Sequence, residues 1–119
     1  MKIENIKFKA KKTLDGKWIK GDLVHHKDSD NVWITDYENQ LTSPVDPSTV
    51  CMFTGLKDKN GTSIYEGDII IYKDNNAERR GTINWDSKIT SFCFGCDFLF
   101  HYFSKYIVVI NNKFDNKNK

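Results

Sequence analysis

Residues 50–72, VCMFTGLKDKNGTSIYEGDIIIY, are a dense run of strand and turn signals. Phe53 and Leu56 flank Thr54-Gly55 in a first apolar limb. Asn60-Gly61 predicts a hairpin, because a type I′ turn needs positive φ at both central residues. The return limb is residues 63–65, and Glu66-Gly67-Asp68 predicts a second tight turn in which Asp68 bonds a nearby backbone N–H. Residues 69–72 are apolar enough to be covered on both faces.

Strand signals continue outward from this segment. Ile6, Phe8 and Ala10 alternate with lysines as a half-buried strand. Asp15-Gly16 turns into Trp18-Ile19, Gly21-Asp22 is expected to reverse the chain, and residues 32–35 are a further strand. Ser43-Pro44 and Asp46-Pro47 are expected to interrupt any ladder, with Asp46 and Pro47 opening a single helical turn. Residues 73–80 read as a charged loop, and residues 82–85 and 91–94 as alternating strands. Residues 97–105 fit one helical turn or an aromatic loop. Residues 106–110 are a last strand, with a frayed Asn/Lys tail beyond. Short strands and tight turns predict a mainly β fold: a small N-terminal β meander over residues 1–49, an SH3-like barrel over 50–111 and a polar tail over 112–119.

The run FTGLKDKNGTSIYEGDIII, residues 53–71, resembles the YopX family of phage and prophage proteins. KFKAKKTLDGKWIKGDLV at 7–24, VDPSTV at 45–50 and, more faintly, GTINWD at 81–86 extend the likeness. The chain departs from the family pattern at Cys51-Met52 and in the ending IVVINNKFDN, which lacks an Ile-Gly-Asn-Ile pattern. The resemblance implies an SH3-like C-terminal barrel beside a small N-terminal β subdomain, self-association and a phage origin. It carries over no catalytic residue.

Composition agrees with strands: the chain of 119 residues is 13% aromatic. No apolar run has the length of a membrane span, and residues 1–20 are too charged for a signal peptide, so a cytoplasmic protein of the host cell is expected. The net charge of +2 implies no strong overall attraction to nucleic acid. Its distribution is uneven: residues 1–20 hold seven Lys against Glu4 and Asp15, and residues 21–50 hold Lys27 against six acids. A solvated surface or self-complementary packing between subunits accounts for that asymmetry.

No residue pattern names a reaction. Cys93-x-x-Cys96 lacks a second ligand pair at comparable spacing, so no metal or cofactor is expected, and Cys51, Cys93 and Cys96 read as reduced thiols. His25-His26 reads as surface, and Glu66 and Asp68 as turn residues. The best candidate ligand surface joins Arg79 and Arg80, whose guanidinium forks suit phosphate, to Tyr72 and Trp85, whose rings suit a base. The plainer reading of Trp85 is core. Lys9 and Lys11 offer a second phosphate contact. Together with the phage origin and self-association that the resemblance implies, these features predict a non-enzymatic phage accessory protein, a homo-oligomer that binds a nucleotide signal and counteracts host defence. The alternatives are a nucleic-acid-binding module and a decoy that occupies a host protein.

Overall fold

The computed structural model describes residues 2–74, 77–88, 90–94, 97–98 and 106–115. Among them strands dominate, no α-helix occurs, and three single 3-10 turns complete the regular structure. The chain divides into two compact units, Met1–Phe53 and Thr54–Lys119.

The first unit is an antiparallel sheet of β1 (Phe8–Lys11), β2 (Trp18–His25), β3 (Val32–Asp36), β4 (Thr42–Val45) and the start of β5 (Cys51–Lys57), in the order β4-β3-β2-β1-β5. Register pairs Ala10 with Ile19 and Leu23 with Ile34, so one face gathers Ala10, Ile19, Ile34 and Val45 into a core. Phe8, Leu23, Val32 and Val50 pack around it. The opposite face carries Lys9, Lys11, Trp18 and Lys20, because successive strand side chains alternate.

Two expectations change here. β2 runs unbroken through Gly21-Asp22, where a reversal was predicted. Gly21 serves close approach instead, since a Cβ there would collide with the Thr35 carbonyl on β3. Pro44 lies within β4 and does not end its ladder with β3; its missing N–H falls on the other side, where an isolated Lys12–Val45 bridge, with the Pro44 carbonyl accepting the Thr13 N–H at 3.1 Å, is the pairing shown. The predicted cap is present: Asp46 accepts the Ser48 N–H at 3.0 Å and Pro47 opens the turn Pro47–Thr49.

β5 continues past Phe53 into the second unit, where β6 (Ser63–Tyr65) is its neighbour. A five-stranded antiparallel sheet follows: β7 (Asp68–Asp74), β8 (Ala77–Asp86), β9 (Ser91–Phe94), β10 (Asp97–Phe98) and β11 (Ile107–Asn112), in the order β10-β9-β8-β7-β11. Ile64, Ile70, Ile83 and Ile107 form its core, flanked by Leu56, Tyr72, Phe92, Phe94 and Val109. Among the described residues no pairing joins the edge strands β10 and β11 into a closed barrel.

The predicted charged loop at 73–80 is a hairpin of β7 and β8, with Lys73 opposite Glu78 and Tyr72 opposite Arg79. The last strand runs on to Asn112, which is buried and donates to Asp68 Oδ1 at 2.9 Å. Of residues 97–105, Asp97–Phe98 is strand, and 99–105 lie outside the described residues.

The Asn60-Gly61 turn also differs in type. Gly61 has φ +83, but Asn60 is not at positive φ, and the Gly61 N–H returns to the Asp58 carbonyl at 3.0 Å. A turn closed from residue 58 to 61 and followed by a left-handed glycine replaces the type I′ form. The Asp58 side chain locks it, Oδ1 accepting the N–H groups of Asn60 and Thr62, each at 2.9 Å.

Candidate functional site

A shallow groove of about 380 Å³ lies on the second unit, lined by Lys59, Ile71, Tyr72, Lys73, Tyr106 and Val108. Its floor follows from register: Ile71 and Val108 sit directly opposite each other on β7 and β11, on the face turned away from the isoleucine core. Arg80 is the cross-strand partner of Ile71 and therefore shares that face. The groove thus brings together two ammonium groups, a neighbouring guanidinium, an aliphatic floor and the phenol of Tyr106, which is 54% exposed. Glu78, opposite Lys73, offsets part of the charge at the hairpin end.

Lys59 reaches this place through its loop. Its N–H donates to the Ile107 carbonyl at 3.1 Å, while Asp58 Oδ2 accepts the Val109 N–H at 3.0 Å. These bonds fasten the 58–62 loop along β11, so one wall of the groove depends on a buried carboxylate.

Register separates several residues that the sequence groups together. Arg79 and Arg80 are consecutive in a strand and project to opposite faces; Arg79 lies across from Tyr72. Tyr72 touches the groove, yet its ring packs against Phe94 on the core side, with centroids 6.2 Å apart. Trp85 is 46% exposed and sits edge-on to Phe92 at 5.0 Å, about 17 Å along β8 from Arg80. Lys9 and Lys11 belong to the first unit, with ammonium groups 4.6 and 5.4 Å from the centre of the Trp18 ring. Lys59 and Tyr106 are the functional candidates that sequence reading missed, while Lys73 opens the charged segment 73–80 that it singled out. Only their placement along β7 and β11 brings the three together, and no local motif marks Lys59 or Tyr106.

The other candidates have structural surroundings. Cys51 is buried and donates to the Thr49 carbonyl at 3.2 Å. Cys93 is buried as well, and burial, assisted by the Asp86 charge, holds its thiol above the ordinary value. Asp68 Oδ2 accepts the Tyr65 N–H at 2.7 Å, as the turn chemistry predicted. Cys96 lies outside the described residues. Among the described residues no three His, Cys, Asp or Glu are grouped to hold a metal ion, and no helix is long and apolar enough to cross a membrane.

The family described as YopX protein matches residues 7–117, nearly the whole chain. The chain belongs to the YopX family. Membership of YopX points to a phage protein, in line with the resemblance carried by residues 53–71. No curated protein matches the chain.

Proposed function

We propose that this YopX protein is a non-enzymatic phage accessory protein that binds a nucleotide in the groove over β7 and β11. The observation that carries the reading is the grouping of Lys59 and Lys73 at an aliphatic floor edged by Tyr106, with Arg80 beside Ile71 on the same face of the sheet. Ammonium and guanidinium groups pair with phosphate, while Tyr106 and the Ile71–Val108 floor suit the flat face of a base. The volume falls in the range of small-ligand sites, about 300–1,000 Å³. The phage setting of the family makes a host nucleotide signal the ligand class, and its withdrawal from a defence pathway the biological effect. Self-association of the chain belongs to the same proposal.

The test is to incubate the protein with infected-cell lysate, wash it, denature it and identify released small molecules by mass spectrometry. A nucleotide is expected from the wild type and is expected to be lost from Lys73→Glu. Release of no nucleotide would overturn the reading, and specific recovery of a host protein in its place would turn it into that of a decoy.

A further inference from the structure

We infer that the outer face of the first unit's sheet is a second, separate binding surface, and that its ligand is single-stranded nucleic acid. Lys7, Lys9 and Lys11 alternate along β1 and its approach, so all three project to one side at intervals of about 7 Å. That row can follow successive phosphates of an extended strand.

Aromatic rings underlie the row. The Lys7 ammonium lies 4.4 Å from the centre of the Phe53 ring, Lys9 lies 4.6 Å from that of Trp18, and Lys11 lies 5.4 Å from it. Cation–π contact fixes where the charges sit while the lysine stems cover the sheet. Across the ladder Lys20 faces Lys9 and Trp18 faces Lys11, which widens the strip to four lysines and one indole. Basic side chains interleaved with an aromatic platform are the combination by which proteins hold single strands, the backbone on the charges and a base on the ring. Stacking on half-buried Trp18 requires the Lys9 and Lys11 ammonium groups to swing off its ring onto the phosphates and a base that is not paired, which selects a single strand over a duplex.

Acids border the strip and limit it: Asp36 and Glu38 line a depression together with Trp18 and Lys20, so negative charge meets its β2 side as well as its ends. Asp22 shares the face two residues beyond Lys20, and Glu4 joins Lys7 and Asp22 around a depression that includes Tyr37. Lys12 is engaged by Asp15 at 3.5 Å and lies at the strip's other end. The strip therefore spans a few nucleotides, and its binding should depend strongly on salt.

Fluorescence anisotropy with labelled oligo(dT), oligo(U) and a duplex of matched length tests the inference on the full chain. The Lys9→Glu/Lys11→Glu double variant is expected to weaken single-strand binding more than tenfold and to lower the slope of log K against log salt by about 1.4, two contacts at about 0.7 each. Trp18→Leu is expected to cost roughly tenfold with the slope unchanged, since stacking releases no counterions. Lys57→Glu/Lys88→Glu, at two exposed positions of the other unit, makes the same change in net charge and should bind as the wild type does. Circular dichroism checks each fold; if a variant is unfolded, Lys9→Gln/Lys11→Gln, which keeps side-chain length, replaces it. Absence of wild-type binding at about 50 mM salt, equal affinity for duplex, or undiminished binding by the double variant would overturn the proposal. Loss of single-strand binding with nucleotide release intact would support two separate sites.

Discussion

The Asp58 carboxylate receives three backbone N–H groups, two from its own loop and one from Val109, 51 residues away. Asp58→Ala should cost about 2–4 kcal/mol, because buried donors lose a charged acceptor. Denaturant midpoints would measure the loss, and an unchanged midpoint would show that the loop holds without its clamp. A second expectation concerns alkaline pH. Burial, aided by Asp86, raises Cys93 above its ordinary 9.0, and burial, aided by Asp22, raises Tyr37 above its ordinary 10.0. Both groups favour the folded state in their protonated forms. Their contribution is whole below those values and is lost as pH rises through the folded-state values. Thermal midpoints should therefore fall above pH 9.0, and Cys93→Ala should remove the earlier part of the fall. At this scale the sequence is legible where chemistry is local: the Asp46 cap and the Asp68 turn follow from neighbours two or three positions away. The Val109 and Asn112 partners of these carboxylates are not legible, because nothing near Asp58 or Asp68 in the chain announces them.

Among elements, the β7–β8 hairpin bears most directly on the proposed nucleotide site. Its alternation gives Arg79 and Arg80 different roles: Arg80→Ala should weaken nucleotide binding roughly 10- to 100-fold, the value of one charge-assisted hydrogen bond. Arg79→Ala should change it little, and calorimetric titration of the two variants separates them. Equal losses would mean that the ligand wraps the hairpin tip and does not lie in the groove. Residues 73–80 read as a loop because their charges favour water, but an exposed hairpin end satisfies that preference while its backbone stays paired. β11 supplies a complementary lesson. It is an edge strand, and the 58–62 loop occupies the outward N–H of Val109 and carbonyl of Ile107, backbone groups that would otherwise template another chain. Periodicity located the apolar limbs of both sheets, except that Ile6, read into the first strand, precedes β1 and is exposed. It could not show which edges are covered, since coverage depends on pairings between distant segments.

At the scale of the whole molecule, each unit has its own core, an alanine–isoleucine–valine cluster in the first and an isoleucine quartet in the second. The mainly β class was readable from composition and turn spacing, and the YopX lineage from residues 53–71. The sequence marked Lys9 and Lys11 as a phosphate contact and Tyr72 with Arg80 as part of a ligand surface, but not Trp18, Lys59 or Tyr106, which other segments of the chain bring beside them. The two units also differ in when they can be completed. The first has every ladder partner of β1 to β4 within its own 53 residues. The second needs β11, at the far end of the chain, to flank β7, to receive Asp58 and to bring Asn112 to Asp68. During synthesis on a ribosome the first unit can therefore settle while the second waits for the final strand to emerge. A chain released before residue 107 would carry a finished first half and an open second one.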